Sequence, residues 1–194
     1  MLAYGAHPMS SLQNLLILLL AGMGFAGAVL ATRLRWRHPE RVLLIFGLAL
    51  RVIGAMLYLS VMGDYYGGGD YVAYFRDGSQ FASSAAGLQA ALDPDYWLAG
   101  RWWGTRFVSR VTGVLFMVFG TSLPLAFLAF SLIGYGGIVA LWLAFRRAFP
   151  NEASERYLAW IVLFPSLWFW PAALGKDALV LCGIGIATLG FVGR

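Results

Sequence analysis

The chain has 194 residues, of which 60% are hydrophobic and only 12% charged, with a mean hydropathy of +0.73. Those proportions exclude an ordinary soluble domain and point to a membrane protein. The formal net charge of +5 does not mark a nucleic-acid binder, because the arginines sit beside apolar runs, where they read as topology signals.

Length and apolarity predict about five spans. Leu12 to Ala31 is the first, with Ser10 and Ser11 as caps. It lacks a basic leading region, and no small-residue cleavage site follows, so it reads as a retained helix rather than a signal peptide. The basic stretch Arg33 to Arg41 comes next, with Pro39 suited to the first turn of a helix. Val42 to Met62 is the second span, Leu123 to Phe145 the third, Tyr157 to Trp170 the fourth and Ala178 to Val192 a short fifth. The expectation is an all-α, polytopic transmembrane helix bundle, one membrane domain over 1–194, with a loop at 63–122 that carries interfacial helices. Arg33, Arg35, Arg37, Arg41, Arg146, Arg147, Arg156 and Arg194 all fall on one side of such a bundle, which should be cytoplasmic. The protein is then a multi-pass protein of the inner (plasma) membrane, with its amino terminus and the 63–122 loop outside the cytoplasm. Eight tryptophans and nine tyrosines suit two interfacial belts against membrane lipids.

The loop opens on Asp64-Tyr65-Tyr66-Gly67-Gly68-Gly69-Asp70 and runs on through Tyr74 and Asp77. If the chain turns helical after the glycines, Asp70, Tyr74, Asp77 and Phe81 share one face. A carboxylate at a membrane surface beside tyrosines can serve as general base on a sugar or lipid hydroxyl; the plainer alternative is a solvated, glycine-rich turn. Leu92 to Trp97 reads as a turn with aromatic anchors. From Trp103 to Phe119 the pattern is amphipathic, with Arg106, Ser109, Arg110 and Gly113 on one face and Phe107, Val111, Val114, Leu115 and Val118 on the other. Such a helix can lie in the interface, and its arginine pair can hold a lipid-linked phosphate, since guanidinium forks fit phosphate oxygens.

Two features lie deeper. Arg51 is near the middle of the second span, at a cost of about 2.5 kcal/mol or more unless it faces a bundle interior, and every carboxylate of the chain lies in a loop or at a span edge. Backbone carbonyls, water or helices of a partner membrane subunit are its candidate partners. Pro165 and Pro171 should kink or end the fourth span, and Gly175-Lys176-Asp177 then forms a charged hairpin tip whose lysine can reach the cavity of Asp70 and meet a phosphate. The single cysteine, Cys182, lies in an apolar run and reads as a packing residue; one cysteine excludes a disulfide framework and a cysteine metal site.

Over roughly residues 42–192 the chain resembles the multi-spanning glycosyltransferases of the GT-C class, which include the protein mannosyltransferases. The likeness rests on an acidic motif opening a large outer loop, with Asp70 and a tyrosine four positions on at Tyr74, and on Phe164-Pro165-Ser166 followed by Gly175-Lys176-Asp177-Ala178-Leu179. Tyr71 stands where the family often has a second acid. The resemblance implies that Asp70 is the catalytic carboxylate, deprotonating an acceptor hydroxyl that attacks the anomeric carbon of a polyprenyl-phosphate sugar. Arg106, Arg110 and Lys176 are then candidates for the phosphate, with Tyr74 and Asp77 toward the substrate. A divalent cation bridging Asp70 and phosphate is compatible with this, although no metal-ligand spacing demands one. Members of the class usually have more spans. Two other readings stand beside it: a surface-polysaccharide polymerase or ligase, and a non-catalytic membrane subunit or transporter piece in which Arg51 and Gly22, Gly24 and Gly27 mediate helix packing.

Overall fold

The computed structural model describes residues 38–93 and 104–193, and all regular secondary structure in them is helical. The first expected span and the tip of the Leu92–Trp97 turn lie outside the described residues, as do Arg33, Arg35, Arg37 and Arg194. Helix α1 spans His38–Ser60, with Pro39 and Glu40 in its first turn, and continues through one π-helical turn at Val61–Tyr65. Together Pro39–Tyr65 form 27 helical residues, about 40 Å at 1.5 Å per residue, and include an 18-residue stretch of mean hydropathy 2.3. Helix α5 spans Leu123–Ala148, includes an 18-residue stretch of mean hydropathy 2.0, and has Arg146 and Arg147 in its last turn. These two helices are long and apolar enough to cross a membrane.

Their surroundings differ. Helix α1 leaves Val42, Phe46, Ile53 and Leu57 exposed, an apolar stripe suited to lipid. Helix α5 is the hub, with Phe127, Phe130, Ser131, Trp142 and others fully buried. The remaining elements pack on this pair or extend from it. Helix α2 is Asp70–Ser83, α3 is Ala85–Leu92, α4 is Thr105–Phe119, α6 is Ser154–Leu163, α7 is the short Pro165–Trp168, a 3-10 turn covers Trp170–Ala172, and α8 is Lys176–Val192.

The expected fourth span, Tyr157 to Trp170, is not one helix. Helix α6 has ten residues, about 15 Å, half of a hydrocarbon core of roughly 30 Å. It stops at Phe164 because Pro165 has no N–H to give and its ring opposes helical continuation; Pro171 breaks the chain again inside the 3-10 turn. The chain nevertheless keeps climbing beside α1. Val162 packs at Gly47, Trp168 at Gly54, and Phe169 and Trp170 at Tyr58. Helix α8 then returns along α5, with 17 residues.

The bundle has two chemically distinct ends. At one, Ser154 Oγ donates to the buried Glu40 carboxylate at 2.5 Å, and Arg146 stands 3.8 Å from the same carboxylate and over the Trp142 ring. Tyr157 stacks on Phe145 there, and Gly193 ends α8 beside Arg147. At the other end the start of α2, the start of α5 and the start of α8 share an apolar cluster that includes Tyr71, Tyr74, Phe127 and Leu174.

The amphipathic segment buries a different face from the one its apolar periodicity marks. Helix α4 packs along α2, and the face it buries is Val108, Ser109, Thr112, Gly113 and Phe116. Small side chains decide this: Gly78 of α2 meets Thr112, and Gly113 of α4 meets Phe81. Ser109 and Gly113, which belong to the arginine face by periodicity, go inward, while Val118 from the apolar face is exposed.

Candidate functional site

The glycine run makes the site. After the π-helical turn the chain must reverse over the end of α1, and Gly67 and Gly68 do so at φ of 70° and 136°, a region that side chains other than hydrogen strain to enter. Gly69 is extended and α2 begins at once with Asp70. The helix expected after the glycines therefore forms, with Asp70 exposed, Tyr74 buried, and Asp77 and Phe81 half-buried along its length.

Asp70 and Tyr74 line a cavity of about 250 Å³ together with Gly175, Lys176 and Asp177 from the start of α8. Tyr58, Met62, Tyr71 and Leu174 complete its apolar and aromatic wall. Lysine 176 thus reaches the cavity of Asp70, although 106 positions separate them in the chain. The amino ends of α2 and α8 both open on this cavity, preceded by Gly69 and Gly175, which offer no side-chain cap. The positive ends of two helix dipoles therefore add to the Lys176 ammonium.

Tyr74 is held as a neutral phenol. Burial raises its pKa above the ordinary value of 10.0, the negative charges of Asp70 and Asp177 raise it further, and a hydrogen bond with the Thr105 side chain offsets part of this. Its ring also abuts Gly175, so it joins the two helix starts physically. Because the folded chain holds this proton more tightly than the unfolded one, the stability from Tyr74 is intact below about pH 10 and lost as pH rises through the folded value. Asp70→Asn should move that titration back toward the ordinary range. The check is the pH dependence of phenolate absorbance, read as the difference between each protein and its Tyr74→Phe counterpart.

Arg106 and Arg110 are not in this cavity. They line a second one, about 270 Å³, with Asp77, Phe81 and Ser109. The single face of α2 is thus divided: its first turn serves one cavity and its third turn the other. Residues 70 and 77 are seven positions apart, about 10 Å along a helix. Asp77 also pairs with its neighbour Arg76 at 3.2 Å, in the open.

Tyr58 and Met62 line the site without having been singled out in the sequence, and Tyr71 entered there only as the residue in place of a second acid. Their only sequence signal was position at the end of an apolar run or beside the acidic motif, which many packing residues share. Asp177, expected only as part of the charged hairpin tip, lines the cavity as well. Among the described residues no group of three or more His, Cys, Asp or Glu side chains stands close enough to bind a metal alone. Asp70 and Asp177 nevertheless supply two oxygen donors, the number with which a hard divalent cation can be held when a substrate phosphate provides more.

Comparisons with protein-family models, with curated proteins and with solved structures find no match to this chain.

Proposed function

We propose that the chain is a membrane glycosyltransferase, or the part of one that carries its reaction centre, moving a sugar from a polyprenyl-phosphate donor to an acceptor hydroxyl at the non-cytoplasmic face. The observation that carries this reading is the meeting of Asp70, Tyr74 and Lys176 in one cavity, at the bundle end opposite Arg41, Arg146 and Arg147. A base, a neutral hydrogen-bond donor and a cation stand there against an aromatic wall suited to a sugar ring.

In the proposed reaction the Asp70 carboxylate takes the acceptor hydroxyl proton as that oxygen forms a bond to the anomeric carbon. The bond from that carbon to the phosphate oxygen breaks, and polyprenyl phosphate leaves with the electron pair. Lys176 and the amino ends of α2 and α8 stabilise the charge that develops on the leaving oxygen. Tyr74 donates its O–H to the sugar or the phosphate. A divalent cation held by Asp70 and Asp177 would supply further charge neutralisation at the phosphate. Transfer of labelled sugar from polyprenyl phosphate, compared between the native chain and Asp70→Asn in lipid vesicles, tests the reading.

The membrane arrangement is part of the proposal: five spans, the arginine end cytoplasmic, and the amino terminus outside. Support comes from Arg41, Arg146 and Arg147 standing at the end where α1 begins and α5 finishes. In a Cys182→Ala background, single cysteines replacing the exposed Gln80 and Asn151 should react with an impermeant thiol reagent from opposite sides. Labelling of both from one side overturns the arrangement.

The second basic cavity favours a second reading, a polymerase or ligase of surface polysaccharide. Arg106 and Arg110 on consecutive turns suit an additional phosphate, as a lipid pyrophosphate would present.

A further inference from the structure

The proposed chemistry makes no use of Arg51, the most deeply buried charged group besides Glu40 among the described residues. Arg51 is 1% exposed, and its Nη1 and Nη2 atoms are buried with no hydrogen-bond partner among the described residues. A guanidinium has five N–H donors and stays charged, so unmet donors at this depth are costly.

Carbonyl oxygens in the matching condition lie beside it. Arg51 and Trp168 line the same narrow gap, with Gly47, Tyr135 and Ile161. The Trp168 carbonyl oxygen is 3.0 Å from where a Cβ would stand on Gly54, one turn along α1. The Pro171 carbonyl oxygen is 2.8 Å from the corresponding point on Gly134 of α5, and Arg51 Nη1 is 3.2 Å from that same point. Neither oxygen accepts from a described backbone N–H, since the turns of this stretch close on Phe164, Pro165, Phe169 and Trp170. Ser131 Oγ meanwhile donates to the Arg51 carbonyl at 3.0 Å, fixing this level of α1 to α5. Buried donors without acceptors thus stand beside carbonyls that the two prolines have deprived of donors.

We propose that Arg51 is a positioning residue whose guanidinium, by a small side-chain rotation, donates to the Pro171 and Trp168 carbonyls and so holds the proline-broken stretch 164–173 that carries Lys176 and Asp177 into the cavity. The importance of that cavity rests on the glycosyltransferase reading; the contact itself does not. Irregular backbone at apolar depth is tolerated only where its polar groups are met by protein or enclosed water, and the gap is too narrow for water. A planar fork can reach two carbonyls at once, which a lysine ammonium on a flexible stem does less well.

Hydrogen–deuterium exchange of the full chain in lipid nanodiscs tests this without reading sugar transfer, so its failure and that of the glycosyltransferase reading are separable. Arg51→Met should speed exchange in 164–177 by about tenfold or more, the scale of one lost charge-assisted hydrogen bond. Arg51→Lys should speed it by less. The α2–α4 pair and the centre of α5 should be unaffected. An unchanged 164–177 stretch overturns the proposal, and so does faster exchange spread evenly over all helices, which would make Arg51 a general support of the fold. If Arg51→Met does not accumulate in the membrane, Arg51→Lys decides by the same comparison: faster exchange confined to 164–177 supports the proposal, and no change or an even rise defeats it.

Discussion

Asp70→Asn should lower sugar transfer by about 10² to 10⁴-fold, the usual contribution of a positioned general base, with membrane insertion and melting almost unchanged. The substitution removes a proton acceptor and keeps the shape. Asp70 is exposed at the first position of α2, so its loss as a charge near a helix start costs only about 0.3–1 kcal/mol. Lys176→Met should lower transfer by a comparable amount, about 10² to 10³-fold, if the ammonium stabilises the leaving phosphate in the transition state. Both effects belong to kcat, because neither group is needed to hold the donor's lipid. Substitutions of Arg106 and Arg110, in the other cavity, should act on KM instead. Full transfer by the Asp70→Asn protein removes Asp70 from the chemistry. Loss on substituting Arg106 with none at Lys176 moves the reaction centre to the second cavity and favours the polymerase or ligase reading.

Gly137→Ala should destabilise the bundle by about 1–3 kcal/mol, the range for overpacking a close contact. A methyl there would stand 2.5 Å from the Leu181 carbonyl oxygen and 2.8 Å from the Cys182 Cα, and Gly185 meets the Gly137 backbone from the opposite side. The obstacles are backbone atoms of α8, which cannot rotate away. Helices α5 and α8 therefore have to separate, and α8 carries Lys176. The neighbouring Gly136 has nothing within 4 Å of its added carbon, so Gly136→Ala should stay within about 0.5 kcal/mol of the native chain. Unfolding in mixed micelles by added denaturing detergent compares the two. Equal effects at 136 and 137 would mean that α5 and α8 do not cross at this closeness.

The reach of sequence reasoning differs from one element to the next. Helices α1 and α5 were legible because an uninterrupted apolar run has few alternatives at these lengths. Their observed bounds, His38–Ser60 with a π-helical extension and Leu123–Ala148, differ from the expected 42–62 and 123–145 only at the ends. The ends moved because charged first and last turns, Glu40 and Arg146-Arg147, are helical too and apolarity does not report them. The fourth span was misjudged in form, since apolarity continues through Phe164 to Trp170 while Pro165 and Pro171 remove the hydrogen bonds that a helix needs. The inward face of α4 was misjudged because small residues, not apolar ones, fit against α2.

The site divides along the same line. Asp70 and Tyr74 were legible together, since their spacing is local to one helix, and Lys176 was legible as a charged hairpin tip. That Arg106 and Arg110 serve a different cavity was not legible, because it depends on which side of α2 the α4 helix lies.

By itself the sequence determined what is local: an apolar, arginine-biased chain that must be helical, glycines that end α1 and start α2 at Asp70, and prolines that interrupt the climb to Lys176. Hydrophobic length, dihedral freedom and missing N–H groups are properties of neighbouring residues. Only the tertiary structure decided which helix starts face each other, that Gly137 and Gly185 bring α8 against α5, and that Arg51 stands beside the carbonyls left open at Trp168 and Pro171. Those facts rest on contacts between residues tens of positions apart, where steric fit and unmet hydrogen bonds select the arrangement.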